Sequence, residues 1–385
     1  MENHPEQFDD ICPLHSNQVP EAVNSLLSEP KFVGVLKYLF PQIPIEEVIT
    51  LFRSVQNVDD FQKKIDYPFL RQLEAKTTKG IDLKGAEKLD KSINYLYISN
   101  HRDIVLDSAN LCIELLDVGC ETVEIAIGDN LLIYPWIETL VRLNKSFIVR
   151  RGVSGRGQLQ ASQHLSHYMR YVLLEKGQSI WLAQREGRAK DGNDRTQESL
   201  LKMLNMSGQG SITDNLGSLN ICPLTISYEY DPCDFLKAKE FQQKRDDPEY
   251  KKLPTDDLLN MQTGIMGYKG KIVYTLAGNI AEQIKMMPSL PRGEQFGAIA
   301  SLIDRLIHTN YEIYDSNRVA YDAIYPDKKV GGYTPEAEAA FCQYIESRIA
   351  KIDLPNKDEE FLRYKLMEMY ANPLVNKLEA SKNQK

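Results

Sequence analysis

The chain has 385 residues, of which 42% are hydrophobic, 9% aromatic and 26% charged. These proportions are typical of a globular protein and exclude a disordered, collagen-like or coiled-coil chain. Forty-six basic against fifty-four acidic residues leave a net charge of −8, so we expect no nucleic-acid-binding surface. Six scattered cysteines without a Cys-x-x-Cys pair indicate free thiols in a reducing compartment, with neither a disulfide framework nor a metal site.

The sequence carries no signal for secretion or for membrane insertion. The first twenty residues are polar and acidic, unlike a signal peptide. The apolar run Leu131 to Ile137 is far shorter than the roughly 18 residues that a membrane-spanning helix needs. We therefore expect a cytoplasmic protein that crosses no bilayer.

Residues 1–85 are predicted to form a helical N-terminal region. Apolar residues recur there at helical spacing and the pattern is interrupted by prolines. The stretch from Phe32 to Phe40 is the most apolar part of this region. It has two interpretations: a helix buried in the core, or a helix face that lies on a membrane surface.

Residues 86–290 alternate between short β-rich runs and helical patterns, which predicts an α/β domain with a mainly parallel central sheet flanked by helices. Residues 291–385 are again predicted to be helical. The stretch 232–265 is highly charged and fits no pattern. Candidate strands are Tyr95–Ser99, Val123–Gly128, Phe147–Val149, Ser179–Ala183, Asn220–Ser227 and Lys271–Leu276. Because proline is tolerated at strand starts and edges, Pro223 predicts that its strand lies at the rim of the sheet.

The segment NHRDIVLD, residues 100–107, follows a predicted strand and precedes a predicted helix. Of six histidines, only His101 occupies such a loop with carboxylates nearby, those of Asp103 and Asp107. A histidine oriented by a carboxylate is the usual general base near neutral pH. In the alternative interpretation, Asp103 caps the following helix and His101 is a structural loop residue. A protein kinase is excluded, because Ser108 stands where the kinase loop requires Asn.

A run of basic residues without any Asp or Glu extends from residue 139 to 174. It predicts a local anion site, since guanidinium groups match phosphate oxygens. Arg150 and Arg151 end a short strand, and alternation along a strand allows at most one of them to enter a given cleft. A solvated basic helix face is the alternative. The six residues are Arg142, Lys145, Arg150, Arg151, Arg156 and Arg170.

A third polar loop, QREGR, follows the predicted strand that ends at Ala183. Gly187 lies between Glu186 and Arg188, and a glycine there allows a tight turn that presents both charges on one side. Taken alone, this segment is also compatible with an ordinary charged surface turn.

The order of these segments resembles the glycerolipid acyltransferase family. The resemblance rests on NHRDIVLD, FIVRRG, REGR and ICPLTISYE and spans about residues 85–280. The family has four residues between its His and Asp, whereas five separate His101 from Asp107. Asp107 is the first choice for the orienting carboxylate, because a loop–helix junction can absorb one residue, and Asp103 is the second.

The resemblance implies transfer of a fatty acyl group from an acyl-CoA or acyl-carrier-protein thioester to the hydroxyl of lysophosphatidate or glycerol-3-phosphate, in phospholipid synthesis. His101 would be the base, with no acyl-enzyme and no bound cofactor. Arg150, Arg151, Glu186, Gly187 and Arg188 would bind the phosphorylated substrate. The enzyme would contact the inner membrane face peripherally. An acyl thioesterase and a non-catalytic lipid-binding protein are the alternatives.

Overall fold

A seven-stranded sheet organises the described part of the chain, which is residues 5–152 and 154–382 of a computed structural model. The spatial order is β1-β7-β6-β2-β5-β3-β4, and every neighbouring pair is parallel except β6 with β7. The predicted α/β class with a mainly parallel sheet is therefore confirmed. The strands are β1 Thr78–Lys84, β2 Leu96–Ser99, β3 Glu124–Gly128, β4 Ser146–Val149, β5 Ile180–Ala183, β6 Ile221–Tyr228 and β7 Gly270–Leu276.

Helices precede, flank and follow the sheet. The N-terminal helices are α1 Val19–Ser28, α2 Pro30–Leu39, α3 Ile45–Arg53, α4 Val58–Phe61 and α5 Tyr67–Thr77. Between the strands lie α6 Leu106–Asp117, α7 Pro135–Leu143, α8 Arg156–Tyr171, α9 Glu198–Asn205, α10 Ile212–Gly217, α11 Asp234–Asp246 and α12 Pro254–Met266. After β7 come α13 Ala281–Lys285, α14 Arg292–Thr309, α15 Asp315–Ile324, α16 Pro335–Ala350 and α17 Glu359–Lys382.

The central strands are buried on both faces, as expected for a sheet covered by helices on both sides. Every residue of β2 and of β6 is buried. Alternation along β2 sends Ile98 to one face, where α8, α9 and α14 contribute the apolar partners, and Tyr97 to the other face, where α6 does so. Two apolar layers therefore fix the strands from which the polar loops emerge.

The prediction that Pro223 marks a strand at the rim of the sheet is wrong. Its strand, β6, is an interior strand and pairs with both β2 and β7. The Pro223 carbonyl accepts a hydrogen bond from the Ala277 N–H at 2.9 Å. The N–H and C=O of one residue point to the same side of a strand, so an N–H at position 223 would also point toward β7. The pairing of β6 with β7 begins only at the next residue, Leu224. Pairing with β2 therefore loses no hydrogen bond.

The apolar stretch Phe32–Phe40 forms most of α2 and is amphipathic. Phe32 and Leu36 are buried in a core shared with α1, α3 and Leu143, whereas Val35 and Tyr38 are 37% and 52% exposed. One side of this helix is thus a core face and the other is an apolar surface. None of the described helices combines the length and the apolar composition needed to cross a membrane.

The sheet layer draws on chain segments beyond the predicted central domain. β1, residues 78–84, lies in the stretch predicted to be helical, and it pairs with β7. α14 begins just after residue 290 and packs Ile299 and Ile303 onto the sheet. The unassigned stretch 232–265 forms most of α11 and α12. The domain boundaries at residues 86 and 290 stay predictions.

The close approach of Gly85 to β7 gives a test of the fold. Gly85 has φ +82°, and a Cβ there would lie 2.4 Å from the Leu276 carbonyl oxygen. We expect Gly85→Ala to lower the free energy of unfolding by about 2–4 kcal/mol, combining a positive-φ cost of about 1 kcal/mol with overpacking of about 1–3 kcal/mol. Urea unfolding measures this difference.

Gly80→Ala is the matched control. Gly80 has φ +104°, but the nearest atom to its added Cβ is the Lys271 Nζ at 3.5 Å. This variant should show the conformational cost alone, about 1 kcal/mol. Equal losses in the two variants would show that the contact between Gly85 and Leu276 does not constrain the chain.

Candidate active site

The polar segments predicted from the sequence meet at one edge of the sheet. β2, β5, β3 and β4 are adjacent and parallel, so their carboxyl ends lie side by side. Loops at the carboxyl ends of parallel strands are where binding sites form in open α/β sheets. The segments that leave this edge are Asn100–Asp103 after β2, Asp129 after β3, Arg150 and Arg151 after β4, and Gln184–Arg188 after β5.

His101 and Asp107 form a hydrogen-bonded pair. The His101 Nδ1 lies 2.8 Å from the Asp107 Oδ2, and the two side chains are 14% and 0% exposed. The same carboxylate oxygen accepts hydrogen bonds from the backbone N–H groups of Arg102 and Asp103, at 2.6 and 3.0 Å. The loop thus wraps around one oxygen, and this wrapping accommodates the additional residue between His101 and Asp107. A proton on Nδ1 leaves the lone pair of the ring on Nε2.

The Asp103 side chain caps the start of α6 from two residues before the N-cap position, Val105. Its Oδ1 accepts hydrogen bonds from the backbone N–H groups of Val105 and Leu106, both at 2.9 Å. Burial and the neighbouring Asp107 charge raise the pKa of Asp103. α12 packs directly on this cap, since a Cβ added to Gly264 would lie 2.0 Å from the Asp103 Oδ2. The structure therefore pairs His101 with Asp107 and gives Asp103 the capping role.

Two residues that the sequence did not single out hold the His101 loop in place. The side chain of Asn100 donates to the carbonyl of Ile226 and accepts from its N–H, at 2.9 and 2.8 Å, which ties the end of β2 to β6. The rings of Trp181 and His101 make an edge-to-face contact with centroids 5.5 Å apart, and the Trp181 Nε1 donates to the Ser99 Oγ. Asn100 is itself the first residue of the NHRD segment, and Trp181 lies on the neighbouring strand β5.

The two arginines at the end of β4 diverge, as alternation along the strand predicts. Arg151 turns toward the site edge, where its Nη1 lies 3.6 Å from the Glu186 Oε1. Its backbone N–H also donates to the Asp129 Oδ1 at 3.1 Å. Arg150 turns away and donates to the Asp10 carbonyl at 3.1 Å. The structure thus brings Arg151, but not Arg150, to the loop after β5.

The basic run as a whole does not converge on one anion site. Arg142 donates to the carbonyls of Asp9 and Cys12. Lys145 is buried and paired with Asp59 at 2.6 Å. Arg170 donates to the Asn215 carbonyl and the Ser218 hydroxyl. These cations stabilise the packing of flanking segments, because each reaches a local acceptor, and the expectation of a single local anion site from all six is wrong.

Glu186, Gly187 and Arg188 form a turn at the mouth of the edge. Glu186 is exposed, and Gly187 has φ +67° with open space where a side chain would stand. The Arg188 Nη2 donates to the Asn260 Oδ1 of α12 at 3.2 Å, while its buried Nη1 has no hydrogen-bond partner among the described residues. Arg188 therefore faces α12 and Arg151 faces the β3–β4 side, with Glu186 paired to Arg151.

A buried ionic cluster lies behind His101. Arg102, Asp194, Asp231 and Lys237 are each at most 5% exposed. Lys237 pairs with Asp231 and donates to the Arg102 carbonyl at 3.1 Å. Burial lowers the pKa of the Arg102 guanidinium, but the carboxylates of Asp231 and Asp194 outweigh this effect and raise it. Sequence inspection missed this cluster, because its members come from three separate segments.

Potential metal ligands do not gather at this edge of the described structure. Among the described residues, one group of three, Asp9, Cys12 and His15, has donor atoms within 4.8 Å of one another. It lies in the N-terminal segment, and His15 is already bonded to Asp9 at 2.9 Å.

The comparison with protein-family models agrees with the resemblance seen in the motifs. Residues 80–227 match the acyltransferase family model, so this segment is an acyltransferase-family domain, and the resemblance predicted from the motifs is confirmed there. A solved structure that matches is the 1-acyl-sn-glycerophosphate (LPA) acyltransferase PlsC from Thermotoga maritima, with 12% identity and a TM-score of 0.38. The match covers 76% of this chain and 94% of that chain. Comparison with curated proteins gives no match.

Proposed function

We propose that this acyltransferase transfers a fatty acyl group from a thioester to the hydroxyl of a phosphorylated glycerol. The observation that carries the proposal is the His101–Asp107 pair, 2.8 Å between Nδ1 and Oδ2. It lies in the acyltransferase domain, at the same edge of the sheet as the loops after β4 and β5 that carry Arg151 and Arg188. A hydroxyl is a poor nucleophile at neutral pH unless its proton is accepted during attack, and the free Nε2 of an oriented imidazole performs this task.

In the proposed reaction, His101 Nε2 accepts the hydroxyl proton while the hydroxyl oxygen attacks the thioester carbonyl carbon. The carbon–sulfur bond then breaks, and the thiolate takes the proton from the imidazolium, so that an ester and a free thiol are formed. Asp107 stabilises the imidazolium, and the two backbone N–H groups keep its carboxylate in place. No covalent acyl-enzyme is required.

The phosphate of the acceptor is proposed to bind between Arg151 and Arg188. Both guanidinium groups lie at the loop after β5, and Glu186 is the carboxylate that a phosphate would replace at Arg151. The positive φ of Gly187 and the open space around it allow a ligand to approach the backbone. Arg150 points elsewhere and has no part in this proposal. Lysophosphatidate and glycerol-3-phosphate are the acceptors, and acyl-CoA or an acyl carrier protein supplies the acyl group.

Replacement of His101 tests the base. We expect His101→Ala to lower kcat for acyl transfer about 10²–10⁴-fold, because general-base catalysis contributes an effect of this size. The assay follows thiol release from a palmitoyl-CoA substrate, with and without glycerol-3-phosphate or lysophosphatidate. Retention of full activity by the variant would contradict the mechanism.

His164→Ala is the matched control. His164 also pairs with an aspartate, Asp10, at 2.9 Å, but it lies on α8 away from the loop after β2. Its variant should retain wild-type activity. Thiol release that does not depend on an acceptor would identify a thioesterase, and absence of turnover by the wild type would identify a binding protein.

Replacement of Arg151 tests phosphate binding. We expect Arg151→Ala to raise the KM for the phosphorylated acceptor about 10–100-fold, since a hydrogen bond to a charged group contributes about 1.5–3 kcal/mol. The KM for an unphosphorylated acceptor such as monoacylglycerol should stay unchanged. Arg150→Ala, at the adjacent position, is the control and should leave both constants at wild-type values. Equal effects of the two substitutions would contradict the assignment.

Peripheral contact with the inner membrane face is proposed to involve the exposed side of α2. Val35 and Tyr38 lie on this side, and the Tyr38 hydroxyl is 3.4 Å from the Gln262 Nε2 of α12. α12 adds exposed Leu259 and Met266 and also contacts Asp103 through Gly264. An apolar surface therefore continues from α2 to the helix that packs on the site, which would place the site next to its lipid substrates.

A double substitution tests this surface. Val35→Glu with Tyr38→Glu should reduce co-sedimentation with phosphatidylglycerol-containing vesicles at least several-fold, because charged side chains oppose burial in the lipid interface. Val330→Glu is the control, since Val330 is 38% exposed against 37% for Val35 but lies in the C-terminal region. Undiminished binding of the double variant would exclude α2 as the contact surface.

A further inference from the structure

Asp194 is a buried carboxylate for which the described residues 5–152 and 154–382 provide no hydrogen-bond partner. Its side chain is 0% exposed, and neither carboxylate oxygen is hydrogen bonded within the described structure. A buried charge is normally paired or fully hydrogen bonded, because removal from water is costly. The position of Asp194 is therefore not explained by its own hydrogen bonds.

The backbone of the loop forces Asp194 into this position. The His308 Nε2 donates to the Asp194 carbonyl at 2.9 Å, and the Asn372 Nδ2 of α17 donates to the Asp191 carbonyl at 2.7 Å. Arg195 donates to the Asn376 Oδ1 at 2.9 Å. These three hydrogen bonds hold residues 191–195 in place. A fourth contact, between Gly192 and α17, adds to them.

Gly192 contributes to this clamp through a proline in α17. A Cβ on Gly192, which has φ +73°, would lie 2.4 Å from the Met369 carbonyl oxygen. Pro373 stands four residues after Met369 and has no N–H, so it cannot donate the usual helical hydrogen bond to that carbonyl. The helical hydrogen bond that α17 lacks is therefore the one at the Met369 carbonyl, against which Gly192 of the loop after β5 packs.

Two of the residues that act electrostatically on Asp194, His101 and Arg102, belong to the loop after β2. The cationic side chains that lower the pKa of the Asp194 carboxyl group are Arg102, Arg185 and Lys237, together with His101 in its protonated form, and Arg102 has the largest effect among them. The Arg102 Nη1 lies 3.3 Å from the position of a Cβ on Gly192, so the guanidinium touches the same clamped loop. Arg102 also donates its backbone N–H to Asp107 at 2.6 Å.

We propose that Asp194 is a positioning residue of the acyltransferase site: its buried negative charge holds the Arg102 side chain, and thereby the backbone that fixes Asp107 against His101. The inference rests on the proposed function. It extends the site to the segment DGND, residues 191–194, and to α17, which lies outside the residues matched by the family model.

The dependence of folding stability on pH distinguishes a positioning role of Asp194 from a purely structural role. Burial raises the pKa of Asp194 to about 6, although the charges of Arg102, protonated His101, Arg185 and Lys237 oppose this rise. Burial and the charge of Asp194 together raise the pKa of the Tyr311 hydroxyl. With a folded pKa above the unfolded value of 3.8, protonation of this group stabilises the fold at low pH. That contribution is lost as the pH rises through about 6. A neutral isostere should therefore be tolerated by the fold at pH 7.5.

The experiment measures kinetics and stability of Asp194→Asn in the full chain. We expect kcat for acyl transfer to fall about 10-fold, with the KM for palmitoyl-CoA and for the acceptor within 2-fold of wild type. The thermal midpoint at pH 7.5 should equal or exceed that of the wild type, and this difference should shrink or reverse at pH 5. Unchanged kcat, or a lower midpoint at pH 7.5, would overturn the proposal.

A double variant tests the connection through Arg102. Arg102→Gln with Asp194→Asn should have a kcat no lower than the worse single variant, because residues that act as one unit are not additive. Multiplicative losses would overturn the role of Arg102.

Asp322→Asn is the control for loss of a buried carboxylate. Asp322 is 3% exposed, but it accepts hydrogen bonds from the N–H groups of Val330 and Gly331, so this variant should lose stability and keep its kcat. If the wild type shows no acyl transfer at all, the proposed function and this inference both fail. If the wild type is active and Asp194→Asn equals it, only this inference fails.

Discussion

The parallel pairing of β2 with both β5 and β6 is the constraint on which the site depends. It places the end of β2, with the NHRD segment, beside the end of β5, with the REGR segment. The strands cannot shift in register, because all residues of β2 are buried between two apolar layers and a shift by one would exchange their faces. Asn100 strengthens the constraint by bonding both backbone groups of Ile226. His101 and Glu186, which are 85 positions apart in sequence, therefore lie in loops that start at the same edge of the sheet.

Two buried aspartates beside this edge are held in opposite ways. One oxygen of Asp107 receives three donors, those of the His101 ring and of two backbone N–H groups. Asp194 receives no donor from the residues that the structure describes and is kept in place by the backbone contacts of its loop. A hydrogen-bonded carboxylate defines local geometry, whereas an unpaired one acts over a longer distance through its charge. The two residues therefore fit different tasks, orientation of the imidazole and retention of the Arg102 guanidinium.

Segments outside residues 80–227 complete the surroundings of the site. α12 contacts Asp103 through Gly264 and Arg188 through Asn260. α17 clamps the loop that continues from REGR, through Asn372 and Asn376. The acyltransferase domain therefore packs against helices that follow it in sequence. Substitutions in these helices can affect the site by displacing the loops that they contact.

The sequence by itself determined six of the seven strands of the described sheet, the class of the sheet and the pairing candidates of His101, but it missed β1, which lies in a stretch predicted to be helical. Buried parallel strands are short apolar runs, and a histidine between a strand and a helix has few carboxylates within reach, so these features are local. Only the tertiary structure decided that Asp107 rather than Asp103 orients His101. Spacing in sequence does not fix this choice, because the path of the loop can accommodate one additional residue between the histidine and its carboxylate. It also decided that β6 is an interior strand, since the direction of the absent Pro223 N–H depends on where β7 lies. The convergence of Arg102, Asp194 and α17 could not be predicted, because contacts between residues far apart in sequence are fixed by packing and leave no periodic signal in the chain.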